Sequence, residues 1–310
     1  MDLELTWLRS WLEVVDSGGF ARAADRIHLS QPRISAHVAS LERVLGSTLI
    51  ERRIRPLTLT DEGRRLLPRA RAIVAAVDDT VSDLRSTAGG CAGRLTIASF
   101  ASASSAFLPQ VLMELRTANP LVDPRVFDGD VAVIEAMLSE RRASVALRPF
   151  RPEPADHGLI RRDLWREAFV VLAPADHLIC QNDVIRMEEV ARFPVITIGD
   201  PSSDPLLGYE ASAAMHSSRT DPVLGIVSHQ PTTLAAMVRA GHGLGLINSL
   251  ATTMIRLDGL VVLELNSPTL YRDVGLWWHA DRPLSRASEA FVDLALAADL
   301  PPGTMPIGAE

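Results

Sequence analysis

Apolar residues recur along the first fifth of the chain with the spacing of packed helices. Leu5, Leu8, Trp11, Leu12 and Val15 follow a 3.6-residue period and predict a helix from Leu3 to Val15, stopped by Ser17-Gly18-Gly19. Phe20, Ala23, Ala24 and Ile27 repeat the period in a short second helix, whose two small alanines allow another helix to come close. After a turn at His28 and Leu29, Ser30 is suited to cap a third helix. Gln31 and Pro32 open that helix, where a missing N–H costs nothing, and Ile34, Val38, Leu41 and Leu45 form its buried stripe up to Gly46. Thr48 to Glu51 and Leu57 to Thr60 then read as two short strands around Arg52-Arg53-Ile54-Arg55-Pro56.

Thr60 begins another helix, with Asp61 and Glu62 in its first turn, and Pro68 soon after is a candidate kink. Its apolar positions, Leu66, Ala70, Ile73, Val77, Val81 and Leu84, are spaced by fours and threes like a coiled-coil seam. A helix over 61–87 would span roughly 40 Å, too long and narrowly striped for a sixty-residue unit to cover, so a partner helix is implied unless the stripe folds back on its own chain. Ser86 to Gly90 reads as a joint.

From Arg94 the pattern changes to β-branched runs alternating with helical periods. Leu95–Ala98, a helix near Phe107–Thr117, Val122–Phe127, a helix near Val131–Glu140 and Ala143–Leu147 form one β-α-β-α-β series. A second series runs through Ala168–Leu172, Val195–Ile198, Val223–Val227, a helix at Thr232–Ala240 and Leu244–Ile247. The chain returns at Tyr271–Trp278 and ends in a helix over Ser285–Leu300. The expectation is α/β overall, with a mostly parallel sheet and helices on both faces of each of two lobes. The proposed divisions are 1–60, 61–90 and 91–310, with one lobe formed by 91–162 and 268–310 and the other by 163–267.

At 310 residues and 47% hydrophobic content, the chain is long enough for two cored domains. A secretion leader and a membrane span are not expected, so the cytoplasm is the expected location. Cys91 and Cys180, widely spaced, do not suggest a disulfide framework, zinc site or dithiol switch. The formal charge of −7 is unevenly placed. All 31 basic residues are arginines, and residues 19–65 carry +4 while the remainder carries −11, as expected of a basic nucleic-acid reader on an acidic body.

Two helices joined by a tight turn, the second opening Ser30-Gln31-Pro32 with Arg33, Ser35 and His37 expected to face outward, suit a recognition helix in a major groove. Gln31 offers a donor and an acceptor side by side, matching adenine. The same residues also suit an ordinary solvated helix face. The hairpin tipped by Arg52, Arg53 and Arg55 favours the DNA reading, as a wing gripping the backbone or entering the minor groove; Arg22 adds to the basic set.

Residues 3–65 resemble the DNA-binding domain of LysR-type transcriptional regulators. The resemblance rests on the run Phe20 to Pro32, on Leu41-Glu42-Arg43-Val44-Leu45-Gly46, on Leu49-Ile50-Glu51-Arg52 and on Leu59-Thr60-Asp61-Glu62-Gly63. The family often has a basic residue at Ala36, a glutamine at His37 and a glycine near Ile54, so the resemblance implies the docking mode more than the bases read. It also implies pairing of two subunits through the long helix, and a homodimer or homotetramer overall. The second half is similar in pattern to the family's periplasmic-binding-protein-like effector domain, most visibly over Val238 to Leu246.

In such sheets ligands bind beyond the strands' carboxyl ends. Candidate effector contacts are therefore Ser99, Phe100 and Ser102 after the first strand, and Asp130 after the second. Arg148 follows the third strand, Ser202 lies in the second lobe, and His229 precedes a helix. Ser102 stands about where the family presents a Ser or Thr. Arg148 is a candidate clamp for a carboxylate, such as a small organic acid, and Asp130 suggests a ligand donor or positive charge. Capping serves equally for the serines and His229, and Arg148 and Asp130 can instead pair with each other. An enzyme or a transport module carrying an added DNA-binding domain is the alternative. The absence of GxSxG, Walker, HExxH, strand-linked GxGxxG or metal-spaced His/Cys signals points away from an enzyme, and no cofactor is expected.

Overall fold

A computed structural model describes residues 2–51, 56–85, 91–182, 184–199, 224–266, 270–281 and 283–308. The chain divides into two compact units. The first is built on residues 1–89 together with 139–142, and the second on the remainder.

In the first unit, α1 (Leu5–Ser17), α2 (Phe20–Arg26) and α3 (Gln31–Leu45) close around Leu8, Trp11, Ala23, Ile34, Val38 and Leu41. Gly18 and Gly46 end α1 and α3 in the left-handed region, where a residue lacking Cβ is least strained. Strands β1 (Ile50–Glu51) and β2 (Thr58–Leu59) pair antiparallel at the base of the hairpin, Ile50 opposite Leu59. The tip, with Arg52, Arg53 and Arg55, lies outside the described residues. Helix α4 (Asp61–Arg85) follows, capped by Thr60, whose Oγ accepts from the Gly63 N–H at 3.0 Å. A Cβ on Gly63 would lie 2.2 Å from the Leu49 carbonyl oxygen, so glycine is what lets α4 start against the chain entering the wing.

The apolar stripe of α4 resolves into two faces. Leu67, Ala70 and Val74 pack into the core of the first unit, and Pro68 lies within the continuous helix. Ile73, Val77, Val81 and Leu84 lie on another face, 46%, 37%, 41% and 84% exposed.

The second unit is built on one mixed sheet, described in the order β4 (Leu121–Asp128), β3 (Ala92–Ser99), β5 (Val145–Pro149), β12 (Tyr271–His279), β6 (Leu159–Pro174), β10 (Leu244–Asn248), β8 (Val195–Ile198) and β9 (Leu224–Ser228). In the first lobe β3 (Ala92–Ser99) lies between β4 (Leu121–Asp128) and β5 (Val145–Pro149), all parallel. Here α5 (Ala101–Ala106), α6 (Leu108–Ala118), α7 (Val131–Ser139) and the late helix α10 (Arg286–Ala297) belong to a core centred on Leu95, Ile97, Phe107, Leu147, Trp165 and Phe291. In the second lobe β8 (Val195–Ile198) lies parallel between β9 (Leu224–Ser228) and β10 (Leu244–Asn248). Helix α9 (Pro231–Arg239) covers them through Leu234, Ala235 and Val238. Short pieces, β7 (Val184–Ile185), α8 (Met187–Val190), β11 (Leu260–Leu265), β13 (Thr304–Met305) and two 3-10 turns at Leu178–Gln181 and Ser249–Met254, complete the described elements.

The expected mostly parallel sheet is corrected at its centre. Strand β6 runs from Leu159 to Pro174. Its first part pairs antiparallel with β12 (Tyr271–His279), and its second part pairs antiparallel with β10 and β11. One long strand thus belongs to both lobes, with β12 beside it. The apolar run Ala168–Leu172 showed only its second half, because Arg161, Arg162, Asp163, Arg166 and Glu167 hide the strand character of the first.

Candidate functional site

Two surfaces gather the candidate residues. On α3, the Ser30 side chain accepts from the Arg33 N–H at 3.4 Å, satisfying one of the free first-turn donors. Gln31, Pro32 and Arg33 are exposed beyond it, Ser35 is half-buried, and Ala36 and Arg43 extend the outer face along the helix. His37 is half-buried like Ser35, and its Nδ1 lies 2.7 Å from the Oγ of Ser10, a buried α1 residue. The reason is helical geometry. His37 sits three residues after Ile34 and four before Leu41, both in the core, so it flanks the buried stripe and its ring is turned to α1. Arg22 is exposed and donates to the Gly18 carbonyl at 2.7 Å, placing its charge over the end of α1.

In the second unit, a cleft of about 310 Å³ opens where the strands of both lobes end. Phe100, Ser102, Asp128 and Asp130 border it from the ends of β3 and β4, Pro149 from the end of β5 and Arg151 from just beyond it. Ile198, His229, Gln230 and Asn248 border it from the second lobe, and Arg272 reaches it from β12. Ser202 lies outside the described residues. The carboxyl-end rule therefore located the cleft, and it also could have supplied Asn248, the last residue of β10.

Two expected contacts lie elsewhere. Arg148, 0% exposed, does not line the cleft. Its guanidinium donates to Glu135 Oε2 at 3.0 Å and to the carbonyls of Pro149 at 2.8 Å and Pro152 at 2.7 Å. Burial pulls its pKa down and Glu135 opposes that shift. It braces the loop after β5 instead of pairing with Asp130. Ser99 is also fully buried and donates to the Phe100 carbonyl at 3.3 Å. Its side chain lies on the face of β3 that carries Leu95 and Ile97, both buried.

Asp130 caps α7, its Oδ1 accepting from the Val133 N–H at 2.8 Å. Glu167 is fully buried, accepting from Trp165 Nε1 at 2.8 Å and pairing at 2.7 Å with Arg272, which borders the cleft. The Arg272 guanidinium lies 4.5 Å over the Phe100 ring. These two crossing-strand residues were missed because each sits among charges whose partner is a hundred residues away.

A capped helix-turn-helix with a wing, followed by a two-lobed α/β unit with a cleft at its strand ends, defines a ligand-responsive DNA-binding regulator. Residues 5–64 match the family described as bacterial regulatory helix-turn-helix protein, lysR family, and residues 88–299 match the LysR substrate binding domain. The chain belongs to the LysR family of transcriptional regulators, which join a DNA-binding helix-turn-helix to a substrate-binding domain. It is 28% identical to the transcriptional activator protein LysR of Escherichia coli, over 90% of this chain and 86% of that protein. It is likewise 28% identical to the regulator CfxR of Cupriavidus necator, over 79% and 76% of the two chains. Among solved structures, full-length OxyR from Pseudomonas aeruginosa superposes with a TM-score of 0.73 at 20% identity, covering 97% of this chain and all of that one. CbnR complexed with its target DNA gives 0.66 at 20% identity, covering 94% and 98%. Among the described residues no helix is long and apolar enough to cross a membrane.

Proposed function

We propose that Gln31, Pro32, Arg33 and Ser35 of this regulator enter a major groove, oriented by the Ser30 cap. Arg22 and the wing arginines Arg52, Arg53 and Arg55 hold the phosphates or the adjoining minor groove. His37 acts through Ser10 by setting the helix orientation. The observation that carries this reading is the exposed, capped first turn of α3, with an exposed basic stripe through Arg33 and Arg43. A small molecule binds the cleft against Phe100, Ser102, Asp130 and His229, with Arg148 and Ser99 supporting from behind.

The divisions at about residues 60 and 90, and between the lobes near 162 and 268, describe reader, connector and sensor. Support for pairing comes from the exposed face of α4, since Ile73, Val77, Val81 and Leu84 form a stripe that a second copy would bury, giving a homodimer or a pair of them. Two-fold pairing suits an inverted-repeat site. An effector favouring one arrangement of the lobes shifts the population of the oligomer and the bend of the bound DNA. The protein regulates rather than catalyses, and works in the cytoplasm where its DNA target lies.

The test is a gel-shift titration of genomic fragments against random duplex. Gln31→Ala is expected to lose about 1–3 kcal/mol of discrimination at one base position while the circular dichroism spectrum stays unchanged. Undiminished specific affinity would remove Gln31 from the reading surface.

A further inference from the structure

The charge of the cleft is not that of a simple anion receptor. Four charged residues border it among those described: Asp128, Asp130, Arg151 and Arg272. Both arginines are already matched, Arg272 by buried Glu167 at 2.7 Å and Arg151 by Glu153 at 3.0 Å. Asp128 and Asp130 have no ion-pair partner among the described residues, and both lie in the first lobe at the end of β4. The first lobe therefore presents two carboxylates without a cationic partner, Asp130 offset in part by the start of α7 that it caps and Asp128 by no ion pair, an environment that favours a cation and opposes a ligand carrying negative charge alone.

The second lobe presents the opposite chemistry. Helix α9 opens on the cleft through Gln230 and Pro231, and no side chain among the described residues caps its N-terminus. Its first-turn N–H groups and dipole favour an anionic oxygen. Asn248 borders the same cleft while only 7% exposed, and its amide nitrogen has no hydrogen-bond partner among the described residues. A buried amide donor left unsatisfied is costly, so this atom calls for an acceptor. The contrast with α7 is direct, because that helix start is occupied by the protein's own Asp130 carboxylate.

We propose that the effector is a zwitterion, an amino acid or close relative. Its carboxylate meets the first turn of α9 and the Asn248 amide, and its ammonium group meets Asp128 and Asp130. The assignment rests on the cleft being the effector site. At about 310 Å³ the cleft is at the small end of ligand pockets, as suits such a molecule. Because the two charged ends belong to different lobes, a zwitterion bridges them, whereas a plain acid or plain amine engages one only.

The experiment is calorimetric titration of the full-length protein with the common amino acids. Each is run beside the carboxylic acid that lacks its amino group and the amine that lacks its carboxyl group. At least one amino acid is expected to bind, with both truncated analogues weaker by about tenfold or more. The double variant Asp128→Asn/Asp130→Asn should erase the advantage of the amino acid over its acid. Asn248→Leu should erase its advantage over the amine. An acid binding as tightly as its amino acid, or no binding across the whole panel, would overturn the zwitterion. An amino acid whose affinity survives all these substitutions sits elsewhere, and then the cleft reading itself falls.

Discussion

Glu167 offers the sharpest physical test of how Arg272 is held beside the cleft. Its carboxylate is wholly buried and serves two donors at once, the Trp165 indole N–H and the Arg272 guanidinium, which is itself 11% exposed. Removing one member of a buried ion pair costs about 3–5 kcal/mol, chiefly because the other charge stays behind without compensation. Glu167→Gln keeps an acceptor for Trp165 and should lie at the lower end, about 3 kcal/mol. Glu167→Ala also strands the indole donor, adding roughly 1–3 kcal/mol. At about 2–4 °C per kcal/mol for a unit of some 200 residues, the glutamine variant should lower the melting temperature by roughly 6–12 °C in scanning calorimetry of the full chain. The second arm is a double-mutant cycle with Arg272→Met. Replacing both charges removes the stranded guanidinium, so Glu167→Gln/Arg272→Met should be more stable than Glu167→Gln alone. A loss below about 1 kcal/mol for the single variants, or a double variant whose loss equals their sum, would refute the coupling.

Three further outcomes follow from particular contacts. Ser30→Ala removes the only side-chain acceptor described at the start of α3 and should cost about 1 kcal/mol in urea denaturation; an unchanged midpoint would mean that the cap is idle. Val77→Asp on the exposed face of α4 should shift the oligomer toward smaller species in sedimentation experiments while the fold persists, and an unaltered distribution would place the subunit contact elsewhere. The Cys180 thiol is pushed up, first by burial and then by Asp176, and it donates to the Pro174 carbonyl at 3.4 Å. Less thiolate is present near pH 8, so alkylation should be slower there than for a small free thiol and should accelerate as pH rises; a free-thiol rate at pH 8 would contradict this.

The reader unit was legible because its signals are local. The 3.6-residue spacing of Ile34, Val38 and Leu41, the Ser30 cap and the Gly46 stop each act within one or two turns, and all three recur in the folded helix. The cleft was legible in position for a similar reason, since βα units place their strand ends by topology. What those ends carry was only partly legible. Phe100, Ser102, Asp130 and His229 border the cleft, while Arg148 turns inward to Glu135 and two carbonyls.

Periodicity along the chain determined which elements form and which of their faces are apolar, because backbone geometry couples neighbours a few residues apart. Tertiary structure alone decided which charges neutralise each other. Glu167 and Arg272 meet across 105 residues, and Asp128 and Asn248 border one cleft from different lobes. It also split the single stripe of α4 into a face that packs at home and one left exposed. The energy of a charge or an apolar side chain depends on what surrounds it in space, and sequence separation does not record that.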